Sequence, residues 1–191
     1  KVVYRRHTNF SMETIQQTIN GTGQAPATSG TTSGTVTISR NGDLVHKVYV
    51  RGVSSGDGND TDGNDLVSKV EVEIGGQLID RQESEWMKVW NELSTPASKW
   101  QGLKAMTGGT GRWGDSNNSP ANGGVNYCHI PLQFWFCRNP GLALPLIALQ
   151  YHEVKLKFTW GAQTVATNCT VWCDYIYLDT DERRRFAQVS H

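Results

Sequence analysis

The sequence predicts an all-β fold, an eight-stranded antiparallel jelly-roll sandwich with long loops and one or two short helices. Three observations predict it. Apolar and polar residues alternate in several short runs, as in half-buried strands. Long stretches rich in Gly, Ser, Thr and Asn separate these runs, at 20–34, 52–66 and 94–127. No internal repeat with a period of about 20–50 residues recurs, which disfavours solenoids and propellers.

The composition is that of one globular domain with no charge excess. The chain has 191 residues, and its 18 basic residues balance 18 acidic residues. Proteins that coat nucleic acid usually carry a clear basic excess, so direct genome binding is disfavoured. No apolar run approaches the roughly 20 residues that cross a bilayer. Because the chain starts without Met and stops after a charged run, we expect it to be part of a longer protein.

The first predicted pair of strands lies on either side of an Asn-Gly dipeptide. Val36 and Ile38 alternate with polar residues before it, and the alternation resumes over 44–50 after Asn41-Gly42. Asn-Gly between two alternating runs is a strong hairpin signal, because both turn positions need positive φ. The sequence therefore predicts a hairpin here.

Five further segments have strand character. An extended N-terminal run changes its alternation near Thr14, which suggests a bulge. A second run ends at Gly75-Gly76, and Leu78 and Ile79 begin a short continuation. The five segments are 10–19, 69–74, 130–136, 154–160 and 170–178.

One segment has helical spacing. Four apolar residues fall at i, i+3, i+4 and i+7, which places them on one face of a helix. They are Trp86, Val89, Trp90 and Leu93. Ser84 is a candidate cap at the start, and Pro96 predicts the end. A second helical turn is expected around 142–149.

Two loop motifs resemble ligand sites but lack the required context. Residues 109–114 match G-x-G-x-x-G, yet a dinucleotide site needs a strand before the motif and a helix after it. The acidic loop does not fit a calcium-binding loop, because its sixth position is Asp62 rather than Gly and its twelfth is Ser68 rather than Glu. Its carboxylates are Asp57, Asp60, Asp62 and Asp65. We therefore expect a solvated loop.

No catalytic, cofactor or metal residues are predicted. The histidines at 7, 46, 129, 152 and 191 form no H-x-H pair, and adjacent His152 and Glu153 point to opposite faces of a strand. That pattern disfavours a cupin-like enzyme. There is no G-x-S-x-G nucleophile elbow. Glu71 and Glu73 share one strand face, as expected for a solvent-exposed or interface edge. The cysteines at 128, 137, 169 and 173 are expected to be free thiols, buried or half-buried.

Several surface features leave alternatives open. The charged run 181–185 suits either a salt-bridged linker or binding to phosphate or anionic lipid. Trp135 suits an interface or the core. Seven Trp residues and polar loops also fit a carbohydrate-binding jelly roll, with Trp100 and Trp113 as loop candidates. Glycosylation sequons occur at Asn9, Asn20, Asn59, Asn117 and Asn168. Without a secretory signal, ordinary attachment is not expected.

Ordered segments along the whole chain resemble the major capsid proteins of nucleocytoplasmic large DNA viruses, such as chlorella viruses and iridoviruses. The segments are VYRRHTNF (3–10), IQQTING (15–21), ISRNGDL (38–44), VEVEIGGQ (70–77), the run from NPG (139–141) through LQYHEVK (149–155), DYIYLDT (174–180) and ERRRFAQ (182–188). Loops without resemblance separate them.

The resemblance implies a structural protein without catalytic activity. Members of that family have two tandem jelly rolls, so residues 1–191 resemble the first roll with the second absent. The resemblance also implies homotrimeric, pseudo-hexagonal capsomers that tile an icosahedral shell over an inner membrane. Implied partners are neighbouring capsomers and minor capsid proteins, without direct contact to nucleic acid. The implied location is the virion capsid, assembled in the host cytoplasm.

Overall fold

The computed structural model describes residues 7–23, 32–54, 63–107, 126–161 and 169–188. Ten β-strands and four α-helices lie within these ranges. The strands are β1 (Phe10–Gln17), β2 (Ile19–Gly21), β3 (Thr32–Thr37), β4 (Leu44–Ser54), β5 (Val67–Ile74), β6 (Gln77–Glu83), β7 (Asn126–Pro131), β8 (Leu144–Pro145), β9 (Val154–Trp160) and β10 (Thr170–Leu178). The helices are α1 (Ser84–Ser94), α2 (Ala97–Thr107), α3 (Trp135–Arg138) and α4 (Thr180–Gln188), with 3-10 helices at Gly63–Leu66 and Pro140–Leu142.

The strands form two antiparallel sheets. The first sheet has the order β1-β10-β4-β7, with β8 also paired to β4, and the second has the order β2-β3-β9-β5-β6. The all-β antiparallel sandwich predicted from the sequence is therefore confirmed, but the count of eight strands is wrong for the described residues. The two additional strands are short, since β2 has three residues and β8 has two. Without them, two four-stranded sheets remain, consistent with a jelly roll.

The core lies between the two sheets and is built from alternate strand residues. On β9, the side chains of Val154, Leu156, Phe158 and Trp160 are all buried, as a period of two requires. The rings of Phe158 and Trp160 stack with centroids 5.0 Å apart. Each buried side chain of this size contributes roughly 2–3 kcal/mol relative to an exposed one.

The predicted Asn-Gly hairpin is wrong. β3 belongs to the second sheet and β4 to the first, so the intervening residues cross between the sheets. Neither Asn41 nor Gly42 has positive φ. Gly42 serves close packing instead, because a Cβ atom there would lie 2.8 Å from the Cβ atom of Tyr175. The positive-φ turn is Gly75-Gly76, with φ of 59° and 85°, and it joins β5 to β6.

The crossing segment is held by side-chain hydrogen bonds. The Arg40 guanidinium donates to the backbone carbonyls of Leu149 at 2.7 Å and His152 at 3.1 Å, and also to that of Gln150. Tyr175 donates its hydroxyl to the carbonyl of Ser39 at 2.6 Å. These bonds satisfy carbonyls outside the strand ladders, which fixes the path of the chain between the sheets.

The predicted strand 130–136 ends earlier than expected. β7 stops at Pro131, and α3 begins at Trp135. The alternation nevertheless identified buried residues correctly, because Ile130, Leu132, Phe134 and Phe136 all lie in the core. Leu132 still donates to the carbonyl of Val48 on β4 at 2.9 Å, and the chain then leaves the sheet and packs the later side chains from a turn and a helix.

The N-terminal run is divided between the two sheets. β1 pairs with β10 in the first sheet, and β2 pairs with β3 in the second, so the chain changes sheet at Thr18. The suggested bulge near Thr14 is wrong, since Thr14 pairs with Asp174 in a continuous register. The irregularity lies instead on β10 opposite β4, between Cys173 and Tyr175.

The helix predicted from apolar spacing is present as α1, but the buried face differs from the predicted one. α1 buries Met87 and Asn91, whereas Leu93 is 80% exposed. Ser84 is not the cap, because Glu83 occupies the N-cap position without a side-chain cap hydrogen bond. The helix ends at Ser94, two residues before Pro96, as predicted.

The number of helices was underestimated. α2 lies in a stretch expected to be loop, and α4 contains the charged run expected to be a linker. Residues 142–149 hold the end of a 3-10 helix, the short β8 and turns, so no α-helix forms there. Isolated short helices are marginal in water, so packing against the sheets decides whether such segments become helical.

Candidate interaction surfaces

The histidines are dispersed rather than clustered. His46 is buried, with Nδ1 2.9 Å from the carbonyl oxygen of Phe136. His7, His129 and His152 are exposed, and His191 lies outside the described residues. Among the residues described, no group of three or more His, Cys, Asp or Glu side chains could hold a metal ion.

The two loop motifs are almost entirely outside the described residues. Residues 109–114, Asp57, Asp60 and Asp62 lie outside the described residues. Asp65 lies in the 3-10 helix before β5 and forms an ion pair with Lys88 of α1. That carboxylate ties α1 to the sandwich.

All four cysteines are buried free thiols, as the sequence predicted. Burial raises the pKa of the Cys137 thiol to about 12, with hydrogen bonds to the backbone at Val48 and Phe134 opposing the shift. Burial also raises the pKa of Cys173. Both thiols therefore remain protonated near neutral pH and are poor nucleophiles there.

Two of the tryptophans singled out in the sequence are half-buried. Trp135 is half-buried, packs against the core, and meets Phe136 edge-on with ring centroids 5.0 Å apart. Trp100 on α2 is half-buried, with the ammonium of Lys104 5.4 Å from its ring centroid. Trp113 lies outside the described residues. Nothing in the geometry of the residues described favours the carbohydrate-binding alternative.

The outer face of the second sheet carries paired charges. Glu71 accepts from Arg81 at 2.7 Å and lies 3.7 Å from Lys69. Glu73 pairs with Lys157 of the neighbouring strand β9. Each carboxylate is thus opposite a cation across the strands, which makes this face suited to solvent.

The charged run 181–185 forms part of α4, which is anchored to the first sheet. Asp43 is buried and accepts from the backbone N–H of Leu178 at 2.7 Å and from Arg183 at 3.1 Å. The backbone N–H of Asp179 donates to the carbonyl of Asn9 beside β1 at 2.9 Å. Arg185 pairs with Glu182 within the helix. These pairs support the salt-bridged interpretation of the run.

Seven of the nine large apolar side chains that are exposed in the described residues lie on two opposite flanks of the sandwich, and Leu142 and Tyr151 lie on neither. On one side, edge strand β1 exposes 58% of Phe10 and 53% of Met12. We call β1 and β2 the β1 flank, because the chain passes directly between them. On the other side, β6 and β7 lie together, since Gln82 donates to the carbonyl of Gln133, two residues after β7, at 2.8 Å.

The second of these flanks continues onto α1. We call it the α1 flank and define it by five exposed apolar residues of β6 and α1. They are Leu78, Ile79, Trp86, Val89 and Leu93. Sequence spacing had placed three of these five on the predicted apolar face of the helix, but it could not show that this face is turned away from the core.

The described part of the chain contains no helix that is long and apolar enough to cross a membrane. Of the five glycosylation sequons, Asn9 and Asn20 are exposed, and Asn59, Asn117 and Asn168 lie outside the described residues.

Comparison with known proteins identifies the relatives of this chain. A family model described as "Major capsid protein N-terminus" matches residues 1–179. The major capsid protein of Pyramimonas orientalis virus is 48% identical over 100% of this chain and 50% of its own length. That of Paramecium bursaria Chlorella virus 1 is 41% identical over 100% of this chain and 45% of its own length. The chain thus spans about half the length of these relatives.

Solved structures give the same result for the fold. A chain in a quasi-atomic model of the PBCV-1 virus capsid superposes with a TM-score of 0.81 at 40% identity, covering 100% of this chain and 48% of its own length. The Faustovirus major capsid protein superposes with a TM-score of 0.62 at 12% identity, covering 97% of this chain and 57% of its own length. The latter likeness concerns the fold alone.

Proposed function

The chain belongs to the major capsid protein N-terminus family, and from this membership we propose that it is the first of two tandem jelly rolls in a structural protein of an icosahedral viral shell. The observation that carries the proposal is the family match over residues 1–179 together with 48% identity to a major capsid protein along the whole chain. The proposal assigns it no catalytic activity and places it in the capsid of the virion.

We further propose that three copies of the full-length protein form a pseudo-hexagonal capsomer. A closed ring requires each unit to offer two different surfaces to its two neighbours. The β1 flank and the α1 flank meet that requirement, because both present exposed apolar side chains and they lie on opposite sides of the sandwich. Open strand edges and apolar patches are features that favour association.

The proposed partners follow from that architecture. Neighbouring capsomers and minor capsid proteins would contact the outside of the ring. An inner membrane would lie beneath the shell. The shell would be assembled in the host cytoplasm. Direct contact with nucleic acid is not proposed, because the 18 basic residues are balanced by 18 acidic ones.

The test is the assembly state of the full-length protein. We expect native mass spectrometry to show trimers and electron microscopy of the same sample to show particles with a hexagonal outline. A full-length protein that remains monomeric at high concentration would contradict the proposal.

A further inference from the structure

We propose that a cavity beside the first sheet binds a small organic phosphate monoester. The cavity lies where α1, α2 and α3 come together next to β4 and the end of β7, and its volume is about 500 Å³. The inference goes beyond the proposed shell function, because it does not depend on how copies of the protein associate. The observations that carry it are the charge of the lining and the hydrogen-bond donors that have no acceptor there.

The cavity has the size and the mixed lining of a small-molecule site. Such sites commonly enclose about 300–1,000 Å³ and combine apolar walls with a few polar groups. The apolar part of this lining includes Trp90 of α1, Met106 of α2, Pro131 of β7 and the adjoining Leu132. The lining therefore suits a ligand in which a small apolar body carries a polar group.

The charge of the lining is positive, although the chain as a whole is neutral. Lys47 and Arg138 line the cavity, and none of its lining residues in the described part of the chain is acidic. Neither cation forms an ion pair within the described ranges. The carboxylate of Asp174 is outside the lining and accepts from Thr14 at 2.6 Å. Because a cleft lined by one sign of charge attracts ions of the other sign, the cavity favours an anion.

The guanidinium of Arg138 presents two terminal nitrogens for such an anion. Its Nε donates to the carbonyl of Gln133 at 2.9 Å, and its central carbon lies 3.9 Å from the centre of the Trp90 ring. Nη1 and Nη2 have no acceptor among the described residues. This fork of N–H groups matches two oxygens of a phosphate or a carboxylate.

The other polar groups favour a phosphate monoester over a carboxylate. Lys47 adds a second positive charge, and Tyr49 lines the same cavity with a hydroxyl that has no hydrogen-bond partner within the described ranges. A phosphate monoester carries about −1.5 to −2 charges at pH 7 and so balances both cations. A carboxylate or a phosphate diester carries one charge, which distinguishes this site from one for the nucleic-acid backbone.

The remaining ionisable groups of the lining add no negative charge at neutral pH. Burial raises the pKa of the Cys137 thiol to about 12, so the thiol stays neutral. Burial, followed by the charge of Asp174, raises the pKa of Tyr49, so its hydroxyl remains a donor. The positive charge of Lys47 and Arg138 is therefore not offset from within the lining.

The donor fork is fixed before any ligand arrives. The carbonyl of Gln133 accepts from Arg138 and also from the buried Gln82 of β6 at 2.8 Å. Trp90, which lies against the guanidinium, belongs to a helix that is anchored by buried Met87 and Asn91. A preorganised site loses little conformational entropy when it binds.

Titration of the full-length protein with phenyl phosphate tests the site. Saturation-transfer NMR detects contact between the protein and the phenyl protons of this monoester. We expect saturation transfer and a dissociation constant about fivefold lower than that of methyl phenyl phosphate, a diester with one charge fewer. Absence of transfer would overturn the inference. Equal affinity for the diester would overturn the assignment to a monoester.

Variants locate the binding. Lys47→Gln should raise the dissociation constant of phenyl phosphate about fivefold, because one positive charge is lost. Arg138→Lys should also weaken binding, because it keeps the charge but removes the fork. The matched control is Lys99→Gln, since Lys99 is exposed on α2 and outside the lining. We expect no change in that variant, and thermal unfolding without ligand checks that all three variants fold.

Three results would contradict the site. Equal losses in Lys47→Gln and Lys99→Gln would show a general electrostatic attraction, and unchanged affinity in Lys47→Gln and Arg138→Lys would place the ligand elsewhere. Binding to vesicles that contain phosphatidic acid, dependent on Lys47 and without transfer from phenyl phosphate, would assign the phosphate to a lipid headgroup and overturn the small-molecule ligand. None of these results bears on the proposed shell function, which is tested by the assembly state.

Discussion

The two sheets share one apolar interior but differ in the hydrogen-bond partners of their carboxylates. On the second sheet, the side chains of Glu71 and Glu73 are 15% exposed on the outer face, and each is paired with a cation that is about half exposed. Beside the first sheet, just before β4, Asp43 is buried and holds α4, whereas Glu13 and Asp174 on the strands of this sheet accept hydrogen bonds at exposed positions. The outer residues of the first sheet include Trp172, which pairs directly with Tyr49 across β10 and β4.

This difference indicates where polar groups matter for stability. An ion pair with a half-exposed cation contributes little, because solvent already stabilises that charge when the pair separates. A buried carboxylate that also accepts from a backbone N–H is costlier to remove, because that N–H then lacks a partner. We therefore expect the first sheet to be sensitive to changes in its polar groups, and the second sheet to be tolerant.

The largest effect is expected in the interior that both sheets share. Phe158→Ala removes a buried ring that stacks on Trp160, and should lower the free energy of unfolding by about 3–5 kcal/mol. Urea denaturation measures the free energy of unfolding of each variant. Phe10→Ala is the matched control, since Phe10 is 58% exposed, and should change stability by no more than about 0.5 kcal/mol. Similar losses for both variants would contradict a core confined to the space between the sheets.

High pH should destabilise the fold through its buried thiols. The pKa of Cys137 is raised from its usual 9.0 to about 12, so below pH 9 both the folded and unfolded states keep the proton. Between pH 9 and 12 only the unfolded state loses it, and stability should fall by about 1.4 kcal/mol per pH unit for this thiol alone.

The measurement is the free energy of unfolding from pH 8 to pH 10.5. Cys137→Ala provides the control, because it should reduce the slope of that decline. An identical slope in the variant would show that Cys137 does not contribute. Burial also raises the pKa of Tyr175 to about 12, which acts in the same direction.

A smaller effect is expected from the anchor of α4. Asp43→Asn removes the charge that attracts Arg183, while its amide oxygen still accepts from Leu178. We expect a loss of about 1–2 kcal/mol, reduced by the partial exposure of Arg183, together with faster hydrogen exchange in α4. Glu182→Gln, which affects the exposed pair with Arg185, should have no measurable effect. Equal losses of stability in Asp43→Asn and Glu182→Gln would contradict the expectation that the buried carboxylate matters more than the exposed one.

An effect smaller than that of Asp43→Asn is expected on the second sheet. Glu71→Gln should cost less than about 1 kcal/mol, and the loss should shrink as salt screens the pair with Arg81. Unfolding at low and high ionic strength measures the difference. A loss as large as that of Asp43→Asn would show that the outer face of the second sheet is not merely a solvated surface.

Strand positions were predicted well where alternation extended over a whole strand. The predicted segments 69–74 and 154–160 correspond to β5 and β9, and 170–178 to β10. Prediction failed where a short sequence motif depends on contacts with residues far away in the chain. Asn41-Gly42 resembled a hairpin turn, but Gly42 is instead required where Tyr175 approaches the backbone. The candidate surfaces were predicted only in part, because the spacing in α1 identified an apolar face but not its exposure.

By itself, the sequence determined which side chains of most strands face inward, because a period of two is a property of neighbouring residues. Through its ordered motifs it also determined the family resemblance. Only the tertiary structure decided which strands are neighbours and which face of α1 is buried. Those choices depend on contacts between residues far apart in the chain, whose free energies no short segment contains.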